Sequence, residues 1–556
     1  QVVKTRSICL IKLTMLLGVT CFAASLANAD EPIAITYASH IAAVMNKHCV
    51  ECHREGMAAP FALDSLEAVQ RRARLIAKVV ERGVMPPWKP ERGHEPLVGE
   101  RGLEATELQL LRDWVAQGAP EGDPALTPAP PQFPSGGWIL GEPDLVVEMA
   151  ETFEVPAEGP DMYQNFVVPL DMVTERKWIK AVEFRASAPS VVHHSLLDLD
   201  YHGLGRMLDK DDPGPGFSGV DQSFEDNRIA GYAVGSLPYW LPDGTAYELR
   251  PGADLIIESH FHPTGKAERE RSQVAFYFTD EAPTREIVSL PMPPTFGMPL
   301  AIDIPAGESR YTVKHRYKLA YDAHAFHIFP HAHMLCREML SVAKLPNGER
   351  KTLLSIKDWD FAWQEQYRFS EMPLLPAGTT IDLTFVYDNS EDNPSNPHHP
   401  PQRVKWGHQT TDEMASLTLT VVPARNEEAE PLREAHYEYQ RKVYREAPVE
   451  FLQEVVGGEL LRRFDRNRNG ELGLLEYPHV LAFAAKVRRL TPGNRAYQLE
   501  EYAFNRAFGP TLKRKAERAL TYASLTGISV LLLGIGAAGW FWQRRRAVRK
   551  PAASPD

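Results

Sequence analysis

Cysteine is scarce in this chain, with five among 556 residues. Cys9 and Cys21 fall in a leading segment read below as an export signal, which leaves Cys49, Cys52 and Cys336. An exported chain of this size with so few thiols is not held together by disulfides, so Cys49 and Cys52 need a different explanation. Positive charge is also in deficit. The net charge of -12 argues against nucleic acid as the main partner. No internal repeat of fixed period is visible, which excludes a solenoid or a propeller built of similar blades. The hydrophobic fraction of 44% is that of an ordinary globular protein, and the length allows several domains. Forty-five prolines favour turns and extended strands over a helical bundle.

Long apolar runs stand near the two ends. Residues 1–29 have the form of a signal peptide: Lys4 and Arg6, the run "LTMLLGVTCFAASL", and a small-residue cleavage site at "ANA" before Asp30. The stretch "ALTYASLTGISVLLLGIGAAGWFW" (519–542) carries no charge and has the length of a transmembrane helix, with Trp540 and Trp542 at interfacial depth. Basic residues flank it on both sides, so the export signal sets the expected orientation. The bulk of the chain is expected on the periplasmic side of the cytoplasmic membrane, with 543–556 as a cytoplasmic tail.

Between these ends the texture changes twice. Residues 34–122 have helical spacing, as in "DSLEAVQRRARLIAKVVERG" with Asp64 as N-cap and Gly83 as stop. A Pro-rich linker follows at 123–137. From 138 to 424 short β-rich runs such as "KWIKAVEF", "DLIIESHFH" and "ASLTLTVV" are punctuated by Pro, Gly and Asp. Two sandwiches, 138–292 and 293–424, account for that length. Residues 425–510 are helical again. The expected fold class is multidomain: a small all-α cytochrome c domain, two antiparallel β-sandwiches, a helical EF-hand segment and one transmembrane helix.

"CVECH" places Cys49 and Cys52 three residues apart with His53 next. Two thiols at this spacing form thioethers to a haem, and the adjacent imidazole then lies beneath the iron. A thioredoxin-like pair wants a βαβ context and a zinc site wants a second pair, and the sequence has neither. One covalent haem c is therefore expected. Met85 in "GVMPPW" is the preferred sixth ligand, with core packing as its alternative, because Met57 is too close in sequence to reach the opposite face.

Histidines recur through the β region in "VVHHSLLDLD" (His193, His194), "IIESHFHPTG" (His260, His262) and "FPHAHML" (His331, His333), and Met414 follows in "TTDEMASLTLTV". Residues two apart on a strand share a face, so His331 and His333 can address one ion. Adjacent His193 and His194 can do so only at a bulge or a strand end. Imidazole suits copper, zinc and iron, and a thioether adds preference for Cu(I).

Taken in order, these motifs resemble the copper type II, ascorbate-dependent monooxygenases, the family of peptidylglycine α-hydroxylating monooxygenase and dopamine β-hydroxylase. The resemblance covers roughly 138–424. It implies two copper ions far apart across a cleft. One, on His193, His194 and His260, passes electrons. The other, on His331, His333 and Met414, binds O₂ and abstracts hydrogen from a substrate C–H. His262 competes with His260, and the register of the motif favours His260. The chain departs from the family where peptide-hydroxylating members place a substrate-binding Arg two residues before HxH and a Tyr four residues after the Met: Phe329 and Thr418 stand there. A peptide carboxylate is therefore not the expected substrate. The partners implied are a small molecule with an oxidisable C–H, O₂, an external electron donor and, through the C-terminal helix, a membrane. The alternative is a haem and copper electron-transfer protein without oxygenase activity.

"DRNRNGELGLLE" (465–476) has EF-hand spacing. Asp465, Asn467 and Asn469 take the first three ligand positions, Gly470 the sharp turn, Glu471 a carbonyl and Glu476 the bidentate end. With Arg466 and Arg468 opposing a cation, the loop predicts one weakly bound Ca²⁺.

Overall fold

The structure is a computed structural model. It describes residues 34–521 except 56, 58, 134–136, 213, 220–226, 467, 474, 475, 491, 492, 494, 496, 497, 516, 519 and 520. The described residues form two compact units, one of those within 34–88 and 100–133, the other of those within 89–99 and 137–521.

In the first unit three α-helices, Ala42–His48, Leu66–Glu81 and Ala105–Ala116, surround a small core. Ser65 caps the second of them by accepting from the Ala68 N–H, in place of the expected Asp64. Val69, Ala73 and Ile76 line the buried stripe of that helix at helical spacing. They meet Ile41, Met45, Leu111 and Trp114 in one cluster.

The second unit opens with two antiparallel sheets that share a core. Five strands that carry the site are labelled here: β1 Met162–Pro169, β2 Val192–Asp200, β3 Asp254–Phe261, β4 Ala323–His331 and β5 Ser416–Pro423. β1, β3 and β2 are consecutive in a five-stranded sheet. A four-stranded sheet centred on Gln273–Thr279 and Lys177–Arg185 accompanies it. Phe166, Leu197, Leu199, Leu255, Ile257 and Phe261 from the first sheet pack with Val147, Ile179, Val274 and Phe276 from the second. β3 is buried at every position, because its outer face is also covered. A second group of sheets follows, one containing Val288–Met292, β5 and β4 in that order, the other built on Tyr311–Lys318, Thr380–Tyr387, Cys336–Lys344 and Arg350–Ile356. The helix Ala429–Glu446 packs against Val288–Met292 and β5.

Two expectations are corrected by this architecture. The described residues are mainly antiparallel sheet, and an all-α cytochrome domain does not describe the fold class. Helical spacing in the first unit is realised in short segments of 7, 16 and 12 residues, separated by irregular Gly- and Pro-containing chain. The single-pass membrane anchor and the localisation that rested on it are also corrected. Among the described residues no helix is long and apolar enough to cross a membrane. The long helices carry charge throughout, as Leu66–Glu81 does with Glu67, Arg71, Arg72, Arg74, Lys78 and Glu81. The segments read as signal (1–29) and tail (543–556), and all of 519–542 but Thr521, lie outside the described residues.

Candidate metal centre

His194 on β2 and His260 on β3 are cross-strand partners. Both point away from the shared core, as the alternation of Leu255, Ile257 and Phe261 into that core requires. On a regular strand His193 would face the other way. The register slips between Val192 and His194, making His193 the extra residue of a bulge. The bulge that an adjacent pair needs is thus present. Val192 stays in the core, while the two rings converge with their Nδ1 atoms 3.1 Å apart.

One ring nitrogen from each of His193, His194 and His260 lies within 4.8 Å of the others. Nitrogens bound at ~2 Å to one ion and roughly at right angles are about 3 Å apart, so the His193–His194 spacing suits two ligands of one metal. His193 Nε2 donates to the Phe361 carbonyl at 2.9 Å, which leaves Nδ1 with a bare lone pair. Both ring nitrogens of His260 are buried without a hydrogen-bond partner. Its Nε2 lies 3.3 Å from Asp161 Oδ2 but without hydrogen-bond alignment. Asp161 Oδ1 instead takes His262 Nδ1 at 2.7 Å. Burial would raise the Asp161 carboxyl, but His260, Thr410 and His262 hold it below the ordinary carboxylate range. His262 lies just past β3 with its side chain 57% exposed, so His260 joins the cluster and His262 does not.

β4 ends at His331, so HxH does not run along one strand as its spacing predicts. His331 sits opposite Ser416 of β5, and His333 lies in the turn before Cys336. The rings still converge, with centroids 5.3 Å apart. Gln364 Oε1 engages His331 Nδ1 at 2.6 Å, and the Asp412 carbonyl engages His333 Nδ1 at 3.2 Å. An acceptor at Nδ1 leaves Nε2 bare, and His333 Nε2 is buried without a partner. Glu413, fully buried, fastens this turn. Its Oε2 accepts the N–H groups of His333 (3.0 Å) and Met414 (3.1 Å), and its Oε1 accepts that of Leu335 (2.6 Å). Met414 is buried, and its carbonyl accepts the Tyr387 hydroxyl at 2.7 Å.

The two histidine groups adjoin rather than face each other across a cleft, with the His194 and His331 ring centroids 6.0 Å apart. One short segment, 359–366, touches both. The Phe361 ring stacks on His193 at 4.2 Å and meets His333 edge-on at 5.8 Å. Trp359 Nε1 donates to the His333 carbonyl, and Gln364 holds His331. Burial pushes the His193 imidazole down to about 3 and that of His331 to about 4, and holds His194 and His333 well below the usual value. All four are therefore neutral near pH 7, the form that binds a metal. Imidazole nitrogens of this kind suit copper, zinc or iron.

A cavity of about 360 Å³ adjoins this centre. Phe296 and Phe329 line it and wall off His331, with ring centroids 5.0 and 6.4 Å away. Phe329 and Thr418, the two departures from the family pattern, are cross-strand partners on β4 and β5 and both line the cavity.

In the first unit, the Cys49 carbonyl accepts from the N–H groups of Cys52 and His53, closing a tight turn. His53 Nδ1 donates to the Phe61 carbonyl at 2.9 Å, which leaves Nε2 for an axial bond. Cys49 and Cys52 are not joined in a disulfide, and burial pushes Cys49 up to about 12, the opposite of a reactive redox pair. Met85 lies half-buried just after Leu66–Glu81, its N–H on the Val79 carbonyl. In the EF-hand-like loop Asp465 accepts from the N–H groups of Asn469 and Gly470, Asn469 from that of Glu471, and Glu476 from those of Arg466 and Gly473. Asn467 lies outside the described residues.

Asp161, Phe361, Gln364 and Glu413 were not anticipated. Glu413 alone had a signal, as a carboxylate between the proposed ligand Met414 and an apolar strand.

No family model matches the chain, and no curated protein matches it. Among solved structures, the chain is similar to the infectious bursal disease virus VP2 subviral particle at 8% identity, covering 52% of this chain and 74% of that one, with a TM-score of 0.17. The major capsid protein P2 of bacteriophage PM2 matches at 10% identity, over 45% of this chain and all of that one, with a TM-score of 0.17. A Paenibacillus xanthan lyase matches at 9% identity, over 54% of this chain and 27% of that one, with a TM-score of 0.15. Likenesses this slight carry no conclusion about fold or activity.

Proposed function

We propose that the chain is a copper-dependent monooxygenase that hydroxylates a C–H bond of a small molecule. The balance is RH + O₂ + 2e⁻ + 2H⁺ → ROH + H₂O, with the electrons coming from an external donor; Cys49, Cys52 and His53 would hold a haem, which would supply one-electron transfer. The observation that carries this reading is the convergence of buried imidazoles in which His333 Nε2 and the ring nitrogens of His260 make no aligned hydrogen bond. Unpartnered buried nitrogens are costly unless something binds them.

His193, His194 and His260 would hold one copper ion, and His331, His333 and Met414 the other. Copper bound there supplies the one-electron transfers and O₂ activation that the side chains lack. The protein's part is positional. The Phe361 carbonyl, Gln364 and the Asp412 carbonyl fix which ring nitrogen is bare. Phe296 and Phe329 keep water off the His331 side and present an apolar wall to the substrate. The loop at 465–476 would hold one Ca²⁺ through Asp465, Asn467, Asn469, Glu471 and Glu476.

Metal analysis of the purified chain tests the reading, with two coppers per chain expected and one after His333→Ala. Rapid mixing of reduced protein with O₂ and substrate should show haem oxidation on the time scale of product formation. Haem that stays reduced while product appears refutes the electron route. Copper turnover without O₂ uptake on any added C–H compound would make the chain an electron-transfer protein instead.

A further inference from the structure

Two imidazoles outside the proposed ligand sets also carry ring nitrogens without partners, and both line the cavity beside His331. His436, on the helix Ala429–Glu446, is 5% exposed, and neither of its ring nitrogens has a hydrogen bond. His327, on β4 four residues before His331, is 8% exposed, and its Nδ1 has none. His327 Nε2 faces Gln366 Oε1 at 3.2 Å, so Nε2 carries the proton and Nδ1 is an acceptor. A neutral His436 offers one donor and one acceptor. A hydroxyl group both donates and accepts, so it satisfies either ring.

The charged side chains that line the cavity are already paired, Arg250 with Glu248 among them, while Arg368 lies over the Tyr239 ring outside the lining. Arg228 is paired with Asp198, Arg433 with Glu286 and Glu430, and Arg495 with Glu434. A carboxylate or an ammonium entering here would have to break one of these pairs. Tyr239, Phe296 and Phe329 give the cavity aromatic walls, beside aliphatic ones from Leu196, Ile229 and Pro291. A volume of about 360 Å³ lies at the low end for small-molecule sites and is too small for a folded peptide.

We propose that this cavity binds a neutral, hydroxyl-bearing ring compound, with His327 and His436 reading its hydroxyl groups and the aromatic walls holding its ring. The inference rests on the monooxygenase reading only in calling that compound the substrate; the binding site stands without it.

The test is calorimetric titration of the full chain, before and after copper loading, with four ligands of matched size. These are 4-hydroxybenzyl alcohol, 4-hydroxybenzoate, 4-hydroxybenzylamine and 4-fluorotoluene. The alcohol should bind at least about tenfold more tightly than each of the others. His436→Phe and His327→Phe should each lower the affinity for the alcohol by about tenfold and leave that for 4-fluorotoluene unchanged. Equal affinities for all four, preference for a charged ligand, or no binding of the alcohol overturns the proposal. If the variants do not fold, the order of the four ligands on the unaltered chain decides. Copper content and O₂ uptake are read in parallel. Tight binding of the alcohol without O₂ uptake sinks the oxygenase reading and spares the site. Two coppers with O₂ uptake but the wrong ligand order does the reverse.

Discussion

Replacing Glu413 with Gln probes how the second histidine group is held. Both carboxylate oxygens accept backbone N–H donors, Oε2 from His333 and Met414 and Oε1 from Leu335. An amide keeps one oxygen and puts an NH₂ where the other stood, so a donor faces a donor in a site with no exposure. The better orientation leaves the oxygen with His333 and Met414 and strands the Leu335 N–H, at a cost of about 1–3 kcal/mol. Glu413→Ala strands all three donors, for roughly 3–9 kcal/mol, comparable with the whole stability of a domain. Urea unfolding reads the first number from the shift in midpoint at constant slope. Because one oxygen ties the His333 and Met414 segments together, copper affinity measured by chelator competition should also fall about 10–100-fold at one of the two sites. Glu338→Gln is the control. Its pair with Arg310 is exposed, so stability should stay within about 0.5 kcal/mol. A Glu413→Gln protein as stable as the parent, with copper affinity intact, refutes the bracing argument.

Other outcomes follow from the same geometry. His260→Ala should lower copper content by one per chain while His262→Ala leaves it unchanged, because His262 is spent on Asp161 at the surface; equal losses would overturn the placement. Burial lowers the imidazoles of His315 and His327 to about 4 and of His436 to about 3. The unfolded chain takes up protons near pH 6.5 that the folded chain refuses, so stability falls as pH drops from about 6.5 toward 4, by roughly 4 kcal/mol per pH unit for the three together. Flat stability across that window, measured by urea unfolding, would mean they are not buried neutral. Ca²⁺ titration should give heat with a dissociation constant of about 0.1–1 mM, abolished in Glu476→Gln. No heat in either protein removes the calcium assignment.

Much of the histidine cluster could be read from the residues, within a limit set by sequence distance. The need for a bulge at His193–His194 follows from strand geometry alone, and the register of β2 against β3 meets it. The spacing of His331 and His333 pointed to convergence but for an incomplete reason, since β4 stops at His331 and the turn, fastened by Glu413, aims His333. Phe361 and Gln364 lay beyond reach. They act through a carbonyl and a neutral amide, and their partners stand 168 and 33 residues away with no motif between. The membrane anchor is a different case. It was drawn from an apolar run that falls outside the described residues, and the described helices all carry charged faces.

The stretch from Trp359 to Gln366 has a consequence for occupancy. It contacts His193 through the Phe361 carbonyl, His331 through Gln364, His333 through Trp359 and His327 through Gln366. A single loop touching His193, His331 and His333 would make the loading of the two proposed trios interdependent. An ion taken up by the first trio would stiffen the same strap that aims the second, and thermodynamic reciprocity would then require the second to favour the first by an equal factor.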